Sequence, residues 1–436
     1  MTLDRTIAPP VRALQTVALD APESYTLANG IPVKLFRNNL LDLIHCTITV
    51  QAGSFYEPQK HVAAACFNLL KESHIQLTSN EVDEMLDTLG ASFAANTNLD
   101  TVTLKLIVPK KNCRETLQLI GSFLAAPVFR KENLEIYKQH KIKDIEYKDL
   151  NVGYRATQNM FRLMFDSGQP YGTILQVAHI ETLTCEQLQT YYQTAFVAEK
   201  VKIYLTGNVD TEVWEAFREM GEAIGARKDE GTKGRKHESA NARKEWFSDR
   251  TPDKHYYEEQ ANAMQSALVL CKRSIGYQHS DRRDFHFLTT LLGGYFGSRL
   301  MQNLRERNGY TYGIYASSLY FGNASIFYME TDVNAVHTQA ALQAINEELT
   351  QLIDHLTEQD ELDTVRNYLS GTQLRFIENS VSYMNNYQLW DNLGADETEI
   401  ALQLAAYRDI TAVRLQSLAA QYLLSQEFTT IIIGKK

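Results

Sequence analysis

The sequence predicts an α+β protein of two homologous domains, each a mainly antiparallel sheet with helices on one face. Three observations carry that expectation. The chain has 436 residues, more than one ordinary core accommodates. Strand-like runs are mixed with separated helices, which indicates an α+β layer. Finally, both halves close on the same unit. "LTCEQLQTYYQTAFVAEKVKIYLTGNVD" (183–210) and "ITAVRLQSLAAQYLLSQEFTTIIIGKK" (410–436) are each a helix followed by a β-branched strand that stops at a glycine. The spacing from Leu188 to Gly207 equals that from Leu415 to Gly434.

The elements follow in order. "LIHCTITVQAGSFYE" (43–57) reads as a strand running into a glycine turn. "HVAAACFNLLKES" (61–73) is helix-like, because Ala63, Ala64 and Ala65 favour helix and no Gly or Pro interrupts. "SNEVDEMLDTLG" (79–90) is a helix with Ser79 as N-cap and Gly90 as its stop. Residues 92–109 alternate like paired strands, residues 113–129 are helical to Pro127, and residues 131–166 form one long helical stretch. The segment 226–255 is charged, rich in small residues and poor in apolar periodicity, which is linker composition. It separates a first domain (1–225) from a second (256–436). The second repeats the order: a strand at 267–275, a glycine-interrupted helix at 282–307, two strands within 309–333, and an amphipathic helix at 340–356.

Composition excludes several function classes. Net charge is −10, whereas binding a phosphate backbone needs a basic face, so no nucleic-acid partner is expected. The five cysteines are widely spaced without a C-x-x-C pair, which reads as buried free thiols in a reducing compartment. "MTLDRTIAPPVRALQ" lacks the apolar core of a signal peptide, and no apolar run reaches the ~18–20 residues of a membrane helix. The expected location is the cytoplasm, with no membrane partner. There is no G-x-S-x-G, Walker or G-x-G-x-x-G motif.

The segment "LLGGYFGSRLMQNLRERNGYTYGIYASS" resembles the second-domain signature of the insulinase/pitrilysin zinc peptidases, which include the mitochondrial processing peptidase. "AGSFYEP", "SNEVDEMLDTLGASFAANTNLDTVTLKLIV", "APVF" and "QPYGTILQVAHIETLTCEQLQTYY" resemble that family's first domain, in the family's order. The resemblance implies two α+β domains per chain of this length, and a chamber enclosed by two such units. It also implies zinc on the first domain of the catalytic unit, held by an H-x-x-E-H helix and a distant Glu.

The chain departs from that pattern where the chemistry belongs. The resemblance places the two ligand histidines at Ala63 and Phe67, the general base at Cys66 and the distant Glu at Gln139. H-x-x-E-H occurs nowhere, and the strand asparagine of the family is Ala94. His61, Cys66, Glu72 and His74 lie close in sequence but do not share one helix face; His140 and Glu146 read as a solvated helix surface. No cofactor is expected in this chain.

Arg305 and Tyr312 do match the family, where such a pair binds substrate backbone near the scissile bond. Guanidinium and phenol are suitable donors to peptide carbonyls. The plain alternative is a surface salt bridge from Arg305 to Glu306 or Glu348, with Tyr312 a half-buried strand residue. Gly293, Gly294 and Gly297 fit either close approach of a backbone near the substrate or tight helix packing. The expectation is a non-catalytic, substrate-binding subunit of a two-chain zinc metallopeptidase acting on peptides or unfolded polypeptides. Zinc is then expected on a homologous partner subunit. The alternatives are a metal-free scaffold or peptide-binding protein of the same fold, and an active peptidase with a displaced metal site.

Overall fold

The structure, a computed structural model, describes residues 6, 17, 19–165, 170–225, 254–261, 263–322 and 324–435. The linker expected at 226–255 lies outside them except for Lys254 and His255, and so does nearly all of the N-terminal stretch quoted above.

In the first half the order is β1 (Glu23–Thr26), β2 (Pro32–Arg37), β3 (Leu43–Val50), α1 (Val62–Asn68), α2 (Ser79–Leu89), β4 (Ser92–Thr97) and β5 (Val102–Pro109). There follow α3 (Cys113–Ala125), α4 (Lys131–Lys148), α5 (Val152–Phe165), α6 (Val177–Glu181), α7 (Cys185–Ala195), β6 (Val201–Gly207) and α8 (Thr211–Ala223). The second half runs β7 (His255–Glu259), β8 (Gln265–Arg273), α9 (Arg282–Thr289), β9 (Thr311–Tyr320) and β10 (Ser325–Asn334). It closes with α10 (Thr338–Asp354), α11 (Gln359–Arg375), α12 (Ser380–Asn392), α13 (Glu399–Asp409), α14 (Ala412–Tyr422) and β11 (Thr429–Gly434).

Two sheets result, ordered β1-β2-β6-β3-β5-β4 and β7-β11-β8-β10-β9. The repeat read from the sequence appears as topology. In each sheet the half's closing strand pairs parallel with one neighbour and antiparallel with the next, β6 with β2 and β3, β11 with β7 and β8. Gly207 (φ 136°) and Gly434 (φ 140°) end these strands. A Cβ there would come within 2.8 Å of Ile44 and 2.7 Å of Ser266 respectively, so both positions require glycine.

Two local expectations change. The N-cap of α2 is Thr78, not Ser79: its hydroxyl accepts from the Glu81 N–H while Glu81 reaches back to the Thr78 N–H, a complete capping box. The stretch 131–166 is two helices, because the chain turns at Asp149–Asn151 and the Asn151 side chain caps the next helix at the Tyr154 N–H (2.8 Å).

The own helices of each half cover one face of its sheet. The other face is covered by a helix lent from the opposite half. On β8, Leu268 and Leu270 point into the core of the second half, while Ala267, Val269 and Cys271 meet Ala156, Met160 and Met164 of α5. Conversely, α12 lies on the first sheet, with Met384, Tyr387 and Trp390 packed around Phe36 and Tyr204. Asp391 accepts from the buried Tyr204 hydroxyl (2.5 Å) and from Lys202 (2.8 Å), and Gln388 donates to Thr49 (3.0 Å). The tips of the two hairpins also meet: Asp100, in the β4–β5 turn, accepts from the Tyr171 hydroxyl and from the Gly322 N–H. No helix among the described residues is long and apolar enough to cross a membrane.

Replacing Asp391 by Ala leaves the Tyr204 hydroxyl buried without its partner. The expected loss is about 1–3 kcal/mol of stability. It should be read as a lower urea midpoint at unchanged m.

Candidate functional site

The segment around Arg305 is helical but irregular. After α9 the chain widens into a π-helical turn over Thr290–Gly294, opens at Tyr295, and returns as a π-helix over Met301–Arg307. Gly293 is required by packing. A Cβ on Gly293 would lie 2.7 Å from that of Ala316, so this turn rests directly on β9. A Cβ on Gly297 would lie 2.8 Å from the Tyr295 ring, which stacks on Tyr368 at 4.8 Å. Of the two readings left open by the sequence, the Gly293 contact fits tight packing, while Gly294 and Gly297 are exposed. Gly294 is only slightly tight, 3.2 Å from Thr290.

The helix ends wide. The Asn308 N–H donates five residues back to Asn303 (3.1 Å), the Tyr310 N–H six back to Leu304 (2.8 Å), and Gly309 turns left-handed at φ 64°. A π turn contains one more residue than an α turn and changes the phase of the side chains. Met301 and Leu304 stay buried while the Arg305 side chain remains 36% exposed.

Tyr312 sits on a second irregularity. Ile314 pairs with Thr331 but Thr311 pairs with Val333, so Tyr312 and Gly313 together oppose Asp332 alone. This is a β-bulge, a device that re-aims a side chain. The Thr311 hydroxyl pins it, accepting from the Gly313 N–H (3.0 Å) and from Thr331 (2.9 Å). Tyr312 is 89% exposed rather than half-buried.

Arg305 meets the salt-bridge alternative only weakly. Its Nε lies 3.6 Å from the exposed Glu306, an arrangement worth about 0–1 kcal/mol, and Glu348 accepts from Asn303 instead. The firmer contact is with Phe296, whose ring centre is 4.5 Å from the guanidinium carbon. Phe296 was not singled out from the sequence. The available signal was a bulky aromatic set between glycines.

The first-half site looks different. Ala63, Cys66 and Phe67 all point into the core and are fully buried. The Cys66 Sγ lies 3.5 Å from the Leu188 carbonyl, and burial pushes its thiol pKa up. The side of α1 that is not fully buried carries Ala64 and Asn68, one turn apart, so the outward register is offset by one residue from that implied by the resemblance. Gln139 is exposed; from α4 it is Tyr137 that reaches α1, its hydroxyl 2.7 Å from His61 Nε2. Ala94 is exposed on the edge strand β4.

His61 has a backbone φ of 78°, a left-handed conformation that costs a non-glycine roughly 1–2 kcal/mol. Burial lowers its pKa to about 3, with Lys141 and Lys60 adding to the effect. Beneath it, Glu57 accepts from the Ala63 N–H (3.1 Å) while its Oε1 is buried without a hydrogen bond. Burial raises this carboxyl to about 6. Among the described residues, no three His, Cys, Asp or Glu side chains are placed to hold a metal. His74 is committed to backbone, accepting from Gln76 (3.1 Å) and Leu77 (2.9 Å), and His140 and Glu146 are exposed on α4. A single imidazole without further ligands grouped around it, and with ammonium groups nearby, does not fit a zinc ion.

The chain was compared with known proteins. Residues 38–169 match the family model "Insulinase (Peptidase family M16)", and residues 182–369 match "Peptidase M16 inactive domain". An uncharacterized zinc protease of Streptomyces coelicolor is 19% identical, covering 79% of this chain and 74% of that one. A non-peptidase homolog of Helicobacter pylori is 21% identical, covering 84% and 82%. The crystal structure of a peptidase M16 inactive domain from Pseudomonas fluorescens shares the fold with a TM-score of 0.82 at 18% identity, covering 96% of this chain and 98% of that one. A protease from Helicobacter pylori gives 0.82 at 16% identity, covering 95% and 100%.

The Glu57 carboxyl yields a pH signature. Its folded pKa lies above its unfolded one, so between about 4.5 and 6 the folded state binds more protons, and this group's contribution to stability falls as pH rises. Glu57→Gln keeps an acceptor for Ala63 and removes the buried charge. The variant should exceed wild type by up to about 2 kcal/mol at pH 7.5, with the difference vanishing near pH 4.5. His61 acts in the opposite sense but is common to both proteins, so it cancels in the difference. Urea denaturation at the two pH values checks this.

Proposed function

The chain belongs to the insulinase (M16) peptidase family, and we propose that it acts there as a non-catalytic, substrate-binding subunit of a two-chain zinc peptidase. Its partner is a homologous subunit that carries H-x-x-E-H and the zinc. Its ligand is a peptide or unfolded polypeptide, its location the cytoplasm, and neither nucleic acid nor membrane is involved.

One observation carries this reading. Arg305 and Tyr312 are held on two supported backbone irregularities, and among the described residues no hydrogen bond occupies the Arg305 terminal nitrogens or the Tyr312 hydroxyl. Those donors are free for peptide carbonyls. Tyr312 lies on β9, the last strand of its sheet, whose outer edge suits an extended chain added as a further strand. The head of α1, in contrast, is closed by the His61–Tyr137 contact.

A second reading, a metal-free peptide-binding or scaffold protein, is favoured by the same closed α1 head, and one relative is itself called a non-peptidase homolog. A displaced metal site finds no support among the described residues. Gentle purification of the tagged chain separates the first two. A near-stoichiometric partner with H-x-x-E-H supports the peptidase subunit, and recovery of this chain alone supports the scaffold.

With the partner in hand, Arg305→Ala should lower kcat/KM of the pair by about 10- to 100-fold, the equivalent of losing a charged hydrogen bond. Tyr312→Phe should lower it by about 2- to 10-fold. Unchanged turnover in both variants would remove the substrate role.

A further inference from the structure

Phe296 is 60% exposed and stands between the buried turn Thr290–Gly293 and the buried Ser298 and Leu300. Its neighbour Tyr295 turns inward and stacks on Tyr368. A Cβ on Gly297 would strike the Tyr295 ring, so the glycine lets Tyr295 keep its place beside Tyr368. The exposed Phe296 ring is therefore not part of the Tyr295–Tyr368 contact. It also has a polar partner, the Arg305 guanidinium, at 4.5 Å. Stacking on a ring restricts the planar fork while leaving its N–H groups free.

We propose that Phe296 is a positioning and specificity residue of the peptide site. It holds the Arg305 fork ready for a backbone carbonyl and selects peptides with a large apolar side chain beside that carbonyl. This rests on the reading of Arg305 as a peptide ligand. The chemistry is consistent at both ends. A side chain that shares the ring with the guanidinium removes apolar surface from water and desolvates the cation, which strengthens its hydrogen bonds. A polar side chain gains neither.

The test uses the full chain and two short, unstructured, fluorescein-labelled peptides that differ only in Phe or Ser at the central position. Binding is read by fluorescence anisotropy. Wild type should prefer the Phe peptide. Phe296→Ala should weaken the Phe peptide by about 10-fold and the Ser peptide only about 2- to 3-fold, whereas Phe296→Leu retains most of the preference. Arg305→Ala should weaken both peptides, the Phe peptide more. Equal losses for both peptides in Phe296→Ala, or no loss, overturn the Phe296 proposal while leaving the Arg305 reading intact. Unchanged binding in Arg305→Ala overturns both. Thermal midpoints near wild type for the three variants exclude a folding defect as the cause.

Discussion

Each of the two sheets has two faces to bury, and neither half can cover both of its own. That constraint organises the molecule. The central strands "ALVLC" and "TIIIG" read as unbroken apolar runs because they are packed on both sides. Lending α5 to the second sheet and α12 to the first solves the problem reciprocally. The exchange is not symmetric in chemistry. The α5 contact is a seam of Ala, Val, Ile and Met side chains flanked by the Arg155–Glu258 ion pair and by Arg273 donating to the Met164 carbonyl. The α12 contact is aromatic and hydrogen-bonded, with Tyr204, Asp391, Gln388 and the buried Thr49. An apolar seam tolerates small slides, whereas hydrogen bonds fix register. Both contacts carry such bonds, so each helps to set the relative placement of the halves.

A rigid frame is what permits the irregularities at Arg305 and Tyr312. A π turn and a β-bulge each leave regular hydrogen bonding locally incomplete. Here the losses are made good by neighbours: the Asn308 side chain bonds back to Asn303, and Thr311 and Thr331 bind across the bulge. Both defects lie on the same continuous segment beside Gly293, whose contact with Ala316 seats the helical turn on the strand. Displacement of that seat would move the strand and the helix together.

The sequence carried most of the fold and less of the site. Periods of 2 and 3.6 located the strands and helices, and the Leu188–Gly207 and Leu415–Gly434 spacing exposed the repeat, because both glycines end a strand that crowds its neighbour. The Thr78 cap was also legible: Glu81 stands three residues after Thr78, the spacing a capping box needs, whereas Ser79 would have Val82 there. The break at Asp149–Asn151 contains no Gly or Pro, and Asn151 looks like any helical polar residue until its side chain is seen capping Tyr154. The lent helices were invisible for a different reason. An amphipathic helix announces that it has a partner but not which sheet that is. The π turns and the bulge insert single residues, changing only the phase of a pattern already short.

The same limit explains the offset on α1. The resemblance counts residues along the chain, but burial decides which of them face outward, and that face carries Ala64 and Asn68. Their replacement of metal-binding side chains is only part of the change. Around them stand a left-handed His61 bonded to Tyr137, a Glu57 carboxyl partly neutralised by burial, and the ammonium groups of Lys60 and Lys141. Here a strained His61 is held in place by a hydrogen bond with two ammonium groups nearby, so metal binding requires removing contacts as well as adding ligands. The second half shows the converse arrangement, with donors presented and left free. The chain thus closes the head of α1, whereas the Arg305 and Tyr312 side chains stand exposed with terminal donors unpaired among the described residues.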